Sequence, residues 1–102
     1  MILGNAKIVF LGQPYDLTLQ VTNRYVDGNR PVIQAYCGPE QFATITVNLP
    51  NAELEEGEFL VKTWTENEWV PQLLNSGIFE DTGKRVPTGF VKAQVWRLKT
   101  PV

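Results

Sequence analysis

The sequence predicts an α+β domain with a mostly antiparallel sheet of five to six strands, an N-terminal four-strand meander and one short helix near residues 67–76. Two observations support this prediction. Apolar and polar residues alternate through much of the first half, a pattern typical of half-buried strands. Glycine, proline and asparagine recur between the alternating stretches, where they favour turns. With 102 residues, 43% of them hydrophobic, the chain is predicted to form a single domain over 1–102.

The first half of the chain contains the clearest strand pattern. In the stretch 15–22 every second residue is apolar, which places four side chains on one face of a strand: Tyr15, Leu17, Leu19 and Val21. Further strands are predicted at 7–11 and 31–37. The connecting turns are expected at 12–14 and 27–29, and Gly28 strengthens the second because glycine tolerates positive φ.

Three more strands and another turn are predicted in the second half. Gly38-Pro39 interrupts the strand pattern, and a fourth strand follows at 42–48 with Ala43, Ile45 and Val47 on one face. Pro50 ends that strand. The remaining elements are a fifth strand at 59–64, a turn at 80–84 and a last strand at 91–98.

The short helix is placed by its terminal residues. Thr65 and Asn67 are competing N-cap residues, so the helix is expected to begin near 67 or 68. Pro71 is tolerated only in the first turn, where its missing N–H costs little. Gly77 suits the left-handed position that follows a last helical turn.

The residue inventory excludes most small-enzyme chemistry. The chain has no histidine, the usual general base and the commonest metal ligand, and Cys37 is its only cysteine. Alternation with Ile33 and Ala35 predicts that Cys37 is a buried small apolar residue. The sequence therefore predicts a non-enzymatic protein with no catalytic residues, no metal site and no cofactor.

Charge is unevenly distributed along the chain. Between 53 and 68 there is one base, Lys62, and there are six carboxylates: Glu53, Glu55, Glu56, Glu58, Glu66 and Glu68. This stretch carries −5, while the chain as a whole carries −2. The four glutamates from 53 to 58 have two interpretations, a solvated loop or a negative patch that meets a basic partner surface.

The three tryptophans also leave alternatives open. Trp64 and Trp96 fall on nominally polar strand faces, and Trp69 lies near the helix start. They are predicted either to pack in the core or to anchor a protein partner, since tryptophan is enriched at interfaces. A third alternative is a single-stranded nucleic-acid platform in which Trp64, Trp96 and Tyr36 stack bases beside lysines and arginines.

Several segments of the C-terminal part resemble a family of short domains carried by bacterial phages, plasmids and conjugative elements. The resemblance spans about 42–98, and its most similar segments are ATITVNLP (43–50), ENE (66–68), GIFEDTG (77–83) and VPTGFVKA (86–93). It implies a mobile-element origin and brings no catalytic motif. Small non-enzymatic proteins of this setting include anti-defence and anti-CRISPR factors, so the resemblance implies an inhibitor of a host defence nuclease.

These observations combine into one functional expectation. The chain is predicted to be a non-catalytic domain that binds a host protein, such as a nucleic-acid-handling defence complex, and occludes it. The expected contacts are Glu53, Glu55, Glu56, Glu58, Trp64, Trp69 and Trp96. No apolar run is long enough to span a membrane, and a cytoplasmic monomer or homodimer is expected. The alternative is the single-stranded nucleic-acid-binding domain.

Overall fold

Two four-stranded antiparallel sheets make up most of the structure. The computed structural model describes residues 1–26, 29–49, 52–61, 69–88 and 92–99. The strands are β1 (Ile2–Phe10), β2 (Gln13–Arg24), β3 (Pro31–Cys37), β4 (Glu40–Thr44), β5 (Thr46–Val47), β6 (Glu58–Val61), β7 (Phe79–Pro87) and β8 (Lys92–Leu98). Their order is β1-β2-β3-β4 in the first sheet and β5-β6-β8-β7 in the second.

The predicted fold is confirmed in its coarse features. In the part of the chain that the structure describes, the fold is mostly antiparallel sheet, begins with a four-strand meander and contains one short helix. The expectation of a single sheet of five to six strands is wrong, because the described residues form two sheets of four strands. Of the predicted elements, residues 27–28, 50, 62–68 and 91 lie outside the described residues.

Alternation along the first sheet produces one buried face. The predicted inner face of β2 is confirmed, since Leu17 and Leu19 are fully buried and Tyr15 and Val21 pack against the core. The antiparallel register places Ala35 of β3 opposite Leu19. Cys37 is half-buried rather than buried, because it lies at the end of β3, where the chain turns through Gly38-Pro39.

The β1–β2 hairpin turns one residue earlier than predicted. Phe10 pairs directly with Gln13, so Leu11 and Gly12 form a two-residue turn with φ of 52° and 76°. Positive φ at both central positions characterises the turns that match strand twist. Gln13 and Pro14 therefore belong to β2 and not to the turn.

The predicted strand 42–48 divides between the two sheets. β4 ends at Thr44, and Thr46 already pairs with Val61 in the second sheet. At the crossing, Ile45 is buried and its N–H donates to the carbonyl of Ile33. The hydroxyl of Thr46 accepts the N–H of Ile33 at 3.1 Å, so the departing strand leaves no unpaired donor there.

The helix is a 3₁₀ helix over Val70–Ser76, with Pro71 in its first turn and Gly77 left-handed at φ 81°. The glycine stop was predicted, but the described helix begins at Val70 and not near 67 or 68. The competing N-cap residues Thr65 and Asn67 lie outside the described residues. Trp69 stands at the N-cap without a side-chain hydrogen bond.

The core lies between the two sheets and is closed at one side by this helix. Its side chains come from both sheets and from the helix, among them Ile8, Ile33, Phe59, Leu73 and Trp96. The side chain of Gln72 closes the exposed end of β1, accepting the N–H of Val9 at 2.8 Å and donating to its carbonyl at 2.7 Å. Among the described residues, no helix has the length and apolarity needed to cross a membrane.

The expected turn at 80–84 is wrong, since these residues lie within β7. The β7–β8 register is irregular between Asp81 and Arg85, which marks a bulge. The residues that favour a turn form turn-like hydrogen bonds inside the bulge. Asp81 Oδ1 accepts the N–H of Gly83, and Thr82 Oγ1 accepts the N–H of Lys84. Pairing with β8 resumes beyond it.

Candidate functional site: the acidic segment and the adjoining cavity

The acidic segment, residues 53–58, covers part of the outer face of the second sheet. On that face Leu60, Ala93 and Val95 are buried under apolar residues that include Ala52 and Leu54. Because Leu54 turns inward, the neighbouring side chains of Glu53 and Glu55 turn outward and are exposed, as is Glu56. The segment is therefore attached to the sheet by its apolar residues while it presents its carboxylates to solvent.

Arg30 holds the chain just before this segment. Its guanidinium donates to the carbonyls of Leu49 at 3.0 Å and Ala52 at 2.8 Å. A turn follows at the other end, where the N–H of Glu58 donates to the carbonyl of Glu55. These contacts position the exposed carboxylates. The segment is therefore solvated but is also held in place on the sheet.

Glu58 differs from the other three glutamates because its carboxylate is buried. Lys84 of β7 donates to both of its oxygens, at 3.0 and 2.9 Å, and the N–H of Glu55 donates to Oε1 at 2.8 Å. Burial raises the pKa of Glu58, but these donors, together with the positive charge of Arg97, outweigh burial and leave the pKa below its ordinary value. Glu58 was expected at the partner surface; with 4% of the residue exposed it is a structural ion-pair residue instead.

Lys84 also reduces the charge of the segment. Its ammonium lies 3.7 Å from a carboxylate oxygen of Glu55, and hydrogen bonding to Glu58 raises the pKa of Lys84. Four carboxylates against one ammonium leave −3 in this cluster. Of the other charges counted in the sequence, Lys62, Glu66 and Glu68 lie outside the described residues.

Two of the three predicted tryptophan anchors are in the core. Trp69 is 3% exposed and packs edge-on against Phe42, and Trp96 is fully buried against Phe79. The nominally polar face of β8, which carries Trp96, points toward the core because the first sheet covers it. Since Trp69 and Trp96 are both buried, neither indole is available to a partner. Core packing, the other alternative, describes both residues. Trp64 lies outside the described residues.

A cavity of about 400 Å³ lies beside the acidic segment, at the end of the sandwich where β2 and β8 end and β3 and β6 begin. Apolar side chains line much of it, including those of Val21, Phe59 and Leu98. Arg24 and Arg97 enter from different sheets, and Glu56 lines the same cavity. A second cavity of similar volume shares Arg24 and Glu56 with it and reaches Arg30 and Glu58.

The described residues contain no group of three or more cysteine or carboxylate side chains arranged to hold a metal ion. No family model, curated protein or solved structure matches this chain. The resemblance to mobile-element domains therefore stays a prediction, and the site has to be interpreted from its own geometry.

The sequence indicated some of these residues but not their roles. From the sequence, the arginines are interpreted only as positive charges beside stacking aromatics, yet Arg30 positions the segment and Arg24 and Arg97 line the cavity. The pairing of Lys84 with Glu58 depends on β8 lying between β6 and β7. That order is set by tertiary structure and leaves no local sequence signal.

Proposed function

We propose that this chain is a non-catalytic protein-binding domain whose exposed carboxylates, Glu53, Glu55 and Glu56, contact a basic surface of a partner protein. The observation that carries this proposal is that the three carboxylates project from a backbone held by Arg30, Leu54 and the Glu55–Glu58 turn. A segment that is already ordered loses less conformational entropy on binding. Charge complementarity of this kind speeds association and selects partners more than it adds affinity.

The narrower form of the proposal concerns the partner. A surface that recognises nucleic acid is basic, and carboxylates held in place can occupy it as phosphates would. The charge and the mobile-element resemblance together support a host nucleic-acid-handling complex as the partner. The chain would act as its inhibitor in the cytoplasm.

Affinity capture with matched charge reversals tests the general proposal. Glu56→Lys and Glu53→Lys should each reduce capture of partners that the unaltered protein retains from host extract, whereas Glu40→Lys should not. Glu40 is also an exposed glutamate, but it lies on the β3–β4 hairpin, outside the acidic segment. Glu40→Lys therefore changes the net charge by the same amount as the two test variants and serves as their control. Glu55→Lys is avoided because it would place a second ammonium beside Lys84.

The outcome depends on which variants lose the partner. A protein captured equally by all three variants does not use the acidic segment, and the proposal fails if every captured protein behaves in that way. For the narrower form, a duplex oligonucleotide should displace the captured partner, and the unaltered domain should inhibit the partner's nuclease activity. Lack of displacement would leave a protein-binding domain without a nucleic-acid-handling partner.

The single-stranded nucleic-acid alternative finds no platform in the described residues. Trp96 is fully buried, and its Nε1 donates to the side chain of Gln94. Tyr36 is half-buried, with its hydroxyl donating to Gln34. Stacking requires exposed aromatic faces, so we do not extend the proposal to nucleic acid.

A further inference from the structure

The cavity at the end of the sandwich combines an apolar interior with two cationic side chains. Val21 of β2 and Phe59 of β6 lie on opposite sheets, and Leu98 of β8 completes the apolar lining. Its volume of about 400 Å³ falls in the range of small-molecule sites, which are mostly apolar with a few polar groups that orient the ligand.

The two guanidinium groups have donors to spare. Arg24 uses one Nη1 hydrogen bond to the carbonyl of Asn29 at 3.1 Å, and Arg97 donates its Nε to Glu80. Each guanidinium has five N–H donors. Among the ion pairs of the described residues none involves Arg24, whereas the guanidinium of Arg97 is paired with Glu80.

We propose that this cavity binds a small amphipathic anion, with its apolar body against Val21 and Leu98 and its carboxylate between Arg24 and Arg97. Guanidinium groups bind carboxylates through paired, charge-assisted hydrogen bonds, and the apolar lining favours an alkyl or aryl body. Glu56, which lines the same cavity, opposes the negative charge of the ligand and lowers its affinity. This proposal is independent of the protein-binding function, since it assigns the opposite ligand charge and different binding side chains; Glu56 favours the basic partner and opposes the anion.

Displacement of a fluorescent anion by octanoate tests the proposal. The protein is titrated with 8-anilinonaphthalene-1-sulfonate, and octanoate is then added as competitor, with octanamide as its uncharged analogue. Octanoate should displace the dye, and octanamide should compete at least tenfold less well because it lacks the charge that the arginines bind.

Three variants make the test specific to the cavity. Arg24→Gln should weaken octanoate binding about tenfold, whereas Glu56→Gln should strengthen it about two- to fivefold. Lys92→Gln is the matched control, because Lys92 is an exposed cation at the opposite end of β8 from Arg97, and it should change nothing. Circular dichroism of each variant verifies that the fold is retained.

Three results would overturn the proposal. These are no displacement of the dye by octanoate, equal competition by octanamide, and equal weakening by Arg24→Gln and Lys92→Gln. Glu56 separates this proposal from the previous one, because loss of its charge strengthens binding of the anion and weakens contact with a basic partner. Either proposal can therefore fail while the other stands.

Discussion

Replacing Gln72 with alanine tests how the structure protects the edge of its first sheet. In the native protein the amide of Gln72 satisfies both main-chain groups of Val9, at 2.8 and 2.7 Å, as a neighbouring strand would. A hydrogen bond of this kind contributes about 0.5–1.5 kcal/mol net. Because Val9 is 56% exposed, water replaces part of the loss, and we expect the free energy of unfolding to fall by about 1–2 kcal/mol.

This loss is large enough to measure. For a domain of about 100 residues it corresponds to a fall in the melting temperature of about 5–10 °C. The change in the free energy of unfolding is measured by urea unfolding followed by tryptophan fluorescence, since Trp69 and Trp96 are both buried in the folded state. Gln41→Ala is the control: its amide makes one long hydrogen bond of 3.4 Å to Thr44 on an exposed strand, and its effect should stay within about 0.5 kcal/mol.

A second readout separates edge protection from simple stabilisation. An uncovered edge strand offers its N–H and C=O groups to another chain, and exposed apolar side chains on β1 and its turn, Ile2, Val9 and Leu11, would favour such pairing. Gln72→Ala should therefore sediment with a larger mass at high concentration than Gln41→Ala. Equal stability and equal sedimentation of the two variants would refute the reasoning.

Three further predictions concern the ion pair, the helix stop and the core. The pKa of Glu58 lies below its ordinary value of 4.5, so the stability that it contributes is present above that pH and is lost as the pH falls through its folded-state pKa. Glu58→Gln should therefore flatten the fall of the urea unfolding midpoint below about pH 4.5. An unchanged dependence of the midpoint on pH would contradict the pairing with Lys84. Gly77→Ala should lower the free energy of unfolding by about 1 kcal/mol because Gly77 has φ of 81°, and equal melting curves would contradict the left-handed stop. Trp96→Ala should cost about 3–5 kcal/mol, enough to leave much of the chain unfolded by circular dichroism, and a stably folded variant would contradict its place in the core.

Local patterns were predictable where a single strand or turn determines them. The bounds of β3 match the prediction at Pro31 and Cys37, because the turns on either side contain residues that end a strand. The helix end at Gly77 was predictable for the same reason, since a left-handed position after a last turn favours glycine.

Arrangements that depend on long-range pairing were not predictable. Alternation around Ile45 continues smoothly while the chain passes from one sheet to the other, because a period of two does not say which sheet a strand joins. Asp81 and Gly83 suit a turn between strands and a bulge within one strand equally well, so the sequence alone did not distinguish the two. Trp96 was placed on a polar face with Lys92, and only the second sheet packing on the first turns that face inward.

Burial of Trp69 and Trp96 changes what a tight complex of this protein would require. Exposed ion pairs contribute about 0–1 kcal/mol each and weaken as salt rises, so three carboxylates alone support a fast but weak and salt-sensitive association. Tight binding needs buried apolar contact, and beside the acidic segment this is offered by the cavity lined by Val21, Phe59 and Leu98. Partner binding that persists at about 0.5 M salt should therefore be inhibited by octanoate, whereas binding that disappears at that salt should be insensitive to it. Salt-resistant binding that octanoate leaves unchanged would place the interface on another face of the domain.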